Sequence, residues 1–438
     1  MIMSTVAEKK DSKADIINSF HKAKFGDATE SRAKAIANFE RLGLPTNKSE
    51  EYRFTPITKS LDKNFSLANK VTPSSIQSID EFLIPGLDAN IVVFVNGSYS
   101  KSLSKIISPE VQIKVKTLAE AFKTDQETID QYFDKLVNSE TDSFAAMNSA
   151  FWQEGLFIHV PENTKVEKPI LILHINDSTT SQVIAHTRLL AVVENNSELT
   201  VIEKFNTTGS QPAFHTFSEE FIIKEKAQLE YCKIQNDQGN SYQVANTLIN
   251  QSNSSKVNTF TLTLNGQLIR NNFGITIDGE NCESHFYGLY VLNGNTIADN
   301  HTVVDHKKPN SFSNEMYKGI MDDHAKGVFN GKIFVRPHAQ KTNAFQSNRN
   351  ILISETATVN TKPQLEIWAD DVKCSHGCTT GQLDEEAVFY LQSRGISHST
   401  AKAMLLYAFA AEVMEPIKNQ KLKEYVDQLI SERLHKDF

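Results

Sequence analysis

The chain has 438 residues, 45 basic and 53 acidic, and a net charge of −8; hydrophobic residues are 39% and charged residues 22%, as in an ordinary globular protein. A mild acidic excess without a basic stripe argues against a nucleic-acid or anionic-membrane binder, and no apolar run is long enough to span a bilayer. Four cysteines do not make a disulfide framework, and MIMSTVAEKKDSKADI lacks an apolar core followed by a small-residue cleavage site, so the expectation is a cytoplasmic chain.

The first elements read as helices. Ile16, Ile17 and Phe20 share one helical face, and Ala33, Ile36 and Phe39 share another. Leu42-Gly43-Leu44-Pro45 supplies the Gly and Pro that stop a helix. NIVVFVNGSYS, from Asn90, is an apolar strand running into an Asn-Gly turn. LAEAFKTDQETIDQYFDKLVNSETDSFAAMNSAF, from Leu118, returns to helical spacing.

From about Gly155 the character changes. LFIHV, PILILHI, TRLLAVVE, ELTVIEKF, EEFIIKE, QLEYCKI, VNTFTLTL, SHFYGLYVL, GKIFVR and NILIS are short, rich in β-branched and aromatic residues, and separated by polar turns. Several strands begin after a small-polar-small motif: NSELTV, KAQLEY, SSKVNTF, ENCESHF, HAKGVF and ETATVN. The motif recurs at roughly 20–30 residues, the period of a stacked coil. An antiparallel sandwich has the same strand length and turn density and is the alternative. The expected class is mainly β with helical flanks. A mostly helical α/β region covers 1–150, a parallel β-helix core 151–380 and a helical domain 381–438.

The stretch KCSHGC, from Lys373, carries the densest chemistry. If it is extended, Cys374, His376 and Cys378 point to one face. Thiolates and imidazole are ligands for zinc, iron and iron–sulfur clusters. Two packed cysteines with an incidental histidine are the alternative. Three donors do not close a four-coordinate site, so something else must bring a ligand, a second chain being one source. His301 and His306, five apart, fall on opposite faces of a strand, and Cys282 and His285 have the same difficulty. Cys232, flanked by apolar residues, reads as packing. Adjacent Asp370 and Asp371 make a poor acid–base pair. No GxSxG elbow, P-loop, Rossmann fingerprint or HExxH is present.

Beyond Thr380 the chain is helical again. Asp384 reads as the N-cap of EEAVFYLQS, and Ser397 as the N-cap of HSTAKAMLLYAFAAEVM, which Pro416 stops. That second helix is apolar nearly all round, so it is buried or covered by another chain. Leu422, Tyr425, Val426, Leu429 and Ile430 form an amphipathic face on the last helix.

The segment from KGVFNGKIFVRPHAQ through LEIWADDVKCSHGCTTGQLDEEAVFYLQSRGI resembles the C-terminal signature of the SufB/SufD family, scaffold components of the SUF iron–sulfur cluster assembly machine. SHFYGLYVL, RLLAVVE, LFIHVPENTKVEKPILILHI and the N-terminal SEEYRFTPI extend the resemblance over nearly the whole chain. Length and the cysteine-poor middle fit the family's SufD branch. The resemblance implies a right-handed parallel β-helix and a non-catalytic scaffold. It implies two partners, a SufB-like subunit met through the β-helix ends and a SufC-like ABC ATPase. The ATPase would dock on the C-terminal helices, through Phe389, Tyr390, Arg394, Gly395, Leu405 and Phe409. Iron or a nascent iron–sulfur cluster would be held transiently with the SufB-like subunit, at Cys374 and His376. Cys378, where the family more often has a small residue, is an extra ligand or a packed thiol. The resemblance also leaves room for reduced flavin on the complex, for a homodimer of the isolated chain, and for no tightly bound cofactor on that chain.

Overall fold

The computed structural model describes residues 12–22, 29–66, 74–237 and 239–435. The reading of the leader falls mainly on residues 1–11, outside the described residues. Nineteen strands among the described residues form two sheets, one of ten strands and one of nine. Sequential strands alternate between the sheets, and each pairs in parallel with the strand two positions on, from Glu154–Val160 to Lys373–Gly381. That is a parallel β-helix of two strands per coil, and the parallel ladders exclude the antiparallel sandwich. Its two sheets face each other across the core.

The recurring motif marks a corner of the coil. Asn163, Asn196, Lys226, Ser254, Asn281, Asn310 and Lys341 all have φ between 56° and 64°. Those positions lie 27–33 residues apart, slightly longer than the spacing read from the sequence. NSELTV, KAQLEY and SSKVNTF begin at three of them. The corners also stack: Asn196 N–H donates to Glu225 O, Lys226 N–H to Asn253 O, and Ser254 N–H to Glu280 O, each in the next coil. Asn tolerates this left-handed region better than most residues, which explains its recurrence there.

The interior is divided lengthwise. One side is apolar, with Ile170, Val201, Leu229, Val257, Phe286 and their neighbours stacked coil upon coil. The other side is polar and fully buried, and includes Glu203, Glu219, Lys233, Gln235, Gln243, Thr247, Asn271 and Asn300. Tyr231 Oη lies 2.6 Å from Glu203 Oε2 and 3.0 Å from Glu219 Oε2, and Lys233 Nζ is 3.1 Å from Glu219 Oε2. Buried polar groups of this density persist only when hydrogen-bonded to one another.

The helical regions cover the outer faces. Helices α1 (Ser12–Lys22), α2 (Thr29–Leu42), α3 (Ile57–Asn64), α4 (Leu118–Thr124), α5 (Gln126–Tyr132) and α6 (Ser143–Phe151) precede the coils. Within the same region Asn90–Val95 and Lys114–Thr117 join the two sheets. The Asn-Gly turn after the first is present, with Asn96 and Gly97 both at positive φ. A buried ionic cluster fastens this layer to the nine-stranded sheet: Arg188 reaches Asp134 at 3.0 Å and Glu220 at 2.8 Å. Helices α7 (Glu385–Ser393), α8 (His398–Met414) and α9 (Gln420–Arg433) follow the coils. Asp384 and Ser397 cap α7 and α8 as read from the sequence. Helix α8 lays Leu406, Ala410 and Val413 against Leu289, Val291 and Ile320 of the ten-stranded sheet, and α9 adds Leu422, Val426 and Ile430.

Candidate functional site

The last coil consists of Thr358–Ile367 and Lys373–Gly381, joined by a short connection carrying Asp370 and Asp371. Each strand lies at the end of its sheet, so each has one neighbour among the described residues. Cys374, His376 and Cys378 do share a face. Their register partners Ala344, Gln346 and Asn348 are all buried interior residues, so the three donors lie on the inner face of the last coil. Among the described residues no further coil covers them: Cys378 and His376 are exposed and Cys374 is half-buried. Burial raises the Cys374 thiol above its ordinary value.

The floor of this open end is one coil back. Gln346, Asn348 and Asn350 line it, with Tyr290 behind them. Tyr290 Oη donates to Asn350 Oδ1 at 2.6 Å, Asn350 Nδ2 to Asn348 Oδ1 at 2.7 Å, and Asn348 Nδ2 to Tyr290 Oη at 3.1 Å. Gln346 Nε2 donates to Glu315 Oε2 at 2.7 Å. Burial pushes the Glu315 carboxyl up to about 7, while the hydrogen bond from Gln346 opposes the rise. Sequence reasoning missed this floor. The inward residues of AFQSNRN alternate Ala, Gln, Asn, Asn, and nothing in that pattern tells an inner face from a solvated one.

The donors stand two residues apart along an extended strand, about 6.6 Å between successive members. Among the described residues no group of three or more His, Cys, Asp or Glu is arranged to hold a metal ion. The donor chemistry suits iron or a cluster, but three donors on one extended strand leave the remaining positions to groups from elsewhere.

The free edges are unequal. Lys373 N–H donates inward along the sheet to Thr342 O, so the N–H groups of Cys374, His376, Cys378 and Thr380 face the unpaired edge. Thr358 N–H donates to Ala325 O, so residues 359, 361, 363, 365 and 367 face the other unpaired edge. Pro363 falls among these, at a position that costs no ladder bond within the chain.

The proposed docking residues separate into two groups. Phe389 and Tyr390 of α7 are 72% and 57% exposed, with the Arg394 guanidinium 5.3 Å from the Tyr390 ring. Gly395, at φ +87°, ends that helix. Leu405 and Phe409 of α8 are half-buried. Phe409 packs on the solenoid, with Lys318 Nζ 4.4 Å from its ring and bonded to its carbonyl at 2.8 Å.

The other sequence candidates lie elsewhere. His301 faces outward and pairs with Glu51 and Asp299, each at 3.0 Å, while His306 is buried inward against Ser313. His301 lines a cleft of about 870 Å³ between Leu42–Tyr52 and the nine-stranded sheet, in which Glu51 pairs with His301, Arg270 with Asp299, Asp305 with Arg336 and Lys332 with Glu366. His285 pairs with Glu283, and Cys232 is buried under the α8–α9 turn.

Residues 174–409 match the model of the "SUF system FeS cluster assembly, SufBD core domain", and residues 13–172 match "SufBD protein N-terminal region". The chain belongs to the SufBD family. It is 32% identical to the iron–sulfur cluster assembly protein SufD of Escherichia coli over 397 residues, 90% of each chain. It is also 32% identical over 398 residues to the SufBD family protein slr0076 of Synechocystis, covering 89% of this chain and 87% of that one. The chloroplastic SufBD protein ABCI8 of Arabidopsis thaliana is 25% identical over 437 residues, 92% of this chain and 76% of its own. The SufBD core match spans most of the coils, including the strand that carries Cys374, His376 and Cys378. No helix of the described residues is long and apolar enough to cross a membrane.

Proposed function

We propose that this SufBD protein is a non-catalytic scaffold subunit in SUF iron–sulfur cluster assembly. It would pair with a SufB-like subunit through the open end of the solenoid, and dock a SufC-like ATPase on α7 and the adjoining face of α8. Cys374 and His376 would contribute ligands to iron or nascent cluster at that junction, with Cys378 an additional thiol beside them. The observation that carries the reading is that the donor-bearing strand is the unpaired edge of a sheet. A strand edge is a template for another chain. The partner that pairs there would bring its own residues against the inward donors and supply the missing ligands.

The test is anaerobic co-expression with SufB and SufC, measuring iron and acid-labile sulfide per purified complex. His376→Ala is expected to leave the complex intact and lower both contents several-fold. An intact complex with undiminished iron and sulfide would make this subunit's role architectural. Thr380→Pro separates the edge from the ligands. It removes one N–H facing the unpaired edge and no ladder bond to the strand behind. It is expected to weaken association with the SufB-like subunit at least tenfold in a pull-down titration, with the melting temperature of the free chain shifted by no more than a few degrees. Undiminished association would place the interface on another surface.

A further inference from the structure

Glu315, Gln346 and His376 occupy successive register positions on the inner faces of three neighbouring strands. Neighbouring strands lie about 4.8 Å apart, so consecutive members of such a column are within hydrogen-bond reach of each other. The first pair is joined: Gln346 Nε2 donates to Glu315 Oε2 at 2.7 Å, with the two residues 3% and 1% exposed. The other end of the same amide is not. Gln346 Oε1 is buried and has no hydrogen-bond partner among the described residues. A buried carbonyl in that state calls for a donor. An amide group is planar, and its oxygen and nitrogen diverge. With Nε2 committed to the strand on one side, Oε1 is turned away from that strand. On the same face, the remaining neighbouring strand is the one that carries His376. Gly331 on the facing sheet keeps this arrangement in place. A Cβ there would lie 2.3 Å from Gln346 Nε2 and 2.7 Å from its Cδ, so only glycine leaves room for the amide.

We propose that Gln346 is a positioning residue for His376. Its carbonyl accepts one imidazole N–H, and the other ring nitrogen is left unprotonated, facing the open end and available to a metal. A ligating histidine is normally oriented by such an outer partner, which fixes both tautomer and ring plane. Glu315 acts one step further back, by holding the Gln346 amide in the orientation that offers its oxygen. The inference rests on the reading of His376 as a ligand, but it concerns the free chain and is testable there.

The experiment is NMR of the full-length chain labelled with ¹⁵N-histidine, reading the two ring-nitrogen shifts of His376 at a pH where the ring is neutral. The signals are assigned by their loss in His376→Ala. The native chain is expected to show one dominant tautomer, with the two nitrogen shifts widely separated. Gln346→Leu is expected to collapse that separation toward the averaged values of a free imidazole. Gln346→Met, of similar length without the carbonyl, gives the same readout should the leucine variant fail to fold. Glu315→Leu should resemble the Gln346 variants. Glu315→Gln, which still offers an acceptor to Nε2, should keep the native pattern. Ring shifts in Gln346→Leu or Gln346→Met identical to the native ones would overturn the proposal. The outcome is separable from the functional reading: shifts that move while His376→Ala leaves iron and sulfide unchanged would establish the positioning contact and reject the ligand role.

Discussion

Arg188→Ala is expected to destabilise the chain by about 3–5 kcal/mol, the cost of removing one partner from a buried ion pair. The Arg188 side chain has no solvent exposure. It bonds Asp134 Oδ1 at 3.0 Å, Glu220 Oε2 at 2.8 Å and Ser149 Oγ at 2.8 Å. Glu220 also accepts the backbone N–H groups of Asp134 and Leu136, each at 2.8 Å. One guanidinium therefore fastens the segment after α5, helix α6 and two strands of the nine-stranded sheet. Burial raises the Glu220 carboxyl despite Arg188, and removing the cation would raise it further. A carboxyl whose folded pKa lies above its unfolded value stabilises the fold at low pH and loses that contribution as pH rises. The deficit of the variant should accordingly widen with pH. Denaturant melts at two pH values measure both the cost and its slope. A loss below 1 kcal/mol would mean that the cluster relaxes on truncation and does not fasten the layer.

Glu219→Gln is expected to remove a pH dependence built into the polar half of the core. Tyr231 has one hydroxyl proton, yet its oxygen contacts both Glu203 and Glu219. The arrangement is satisfied when Glu219 carries a proton of its own. Burial is the main cause that raises the Glu219 carboxyl, the Glu203 charge adds to the rise, and Lys233 opposes it. The folded state thus holds a proton that the unfolded state releases in the ordinary carboxylate range. Stability from this group is full below that range and declines as pH rises through the folded pKa, by up to about 1.4 kcal/mol per pH unit. Buried histidines act oppositely. Burial lowers His174 and His186 to about 3 and His306 to about 4, so each withdraws stability as pH falls below its unfolded value. The difference between the native chain and Glu219→Gln isolates the glutamate, because the histidines contribute to both. Relative to the glutamine variant, the native chain should lose stability steadily from the carboxylate range toward pH 8. A pH-independent difference would show Glu219 ionised throughout.

Much of the architecture was legible because its signals are local. A left-handed corner needs a residue that tolerates it, so Asn196, Lys226 and Ser254 open visible motifs. A helix start needs a side-chain acceptor, so Asp384 and Ser397 mark α7 and α8. Period-two alternation was enough to place Cys374, His376 and Cys378 on one face. Which face was not legible, because inside and outside are properties of the coil and not of the strand. The strands Ser241–Gln251, Leu268–Ile277 and Ile297–His306 were hard to see for a related reason. Their inward positions include Gln243, Thr247, Asn271, Asn300 and Thr302, which serve the polar half of the core and carry no hydrophobic alternation. The long-range clasp of SEEYRFTPI was equally hidden. Glu51 and Thr55 meet His301 and Asp299 some 240 residues later in sequence, and no local pattern encodes that contact.

The two ends of the solenoid differ in a way that bears on assembly size. At the first end the outermost strands are reversed and short, Ser98–Tyr99 and Lys114–Thr117, and α4 packs against the second. Short, covered edges do not recruit further strands. At the last end both edges are long and unpaired among the described residues, and only one of them is interrupted, at Pro363. A rod that is blunt at one end and adhesive at the other can add a single neighbour through its adhesive end, after which that contact is used up. If the proposed pairing uses these edges, a single open end limits growth through them to a closed pair, where two identical open ends would have allowed filaments.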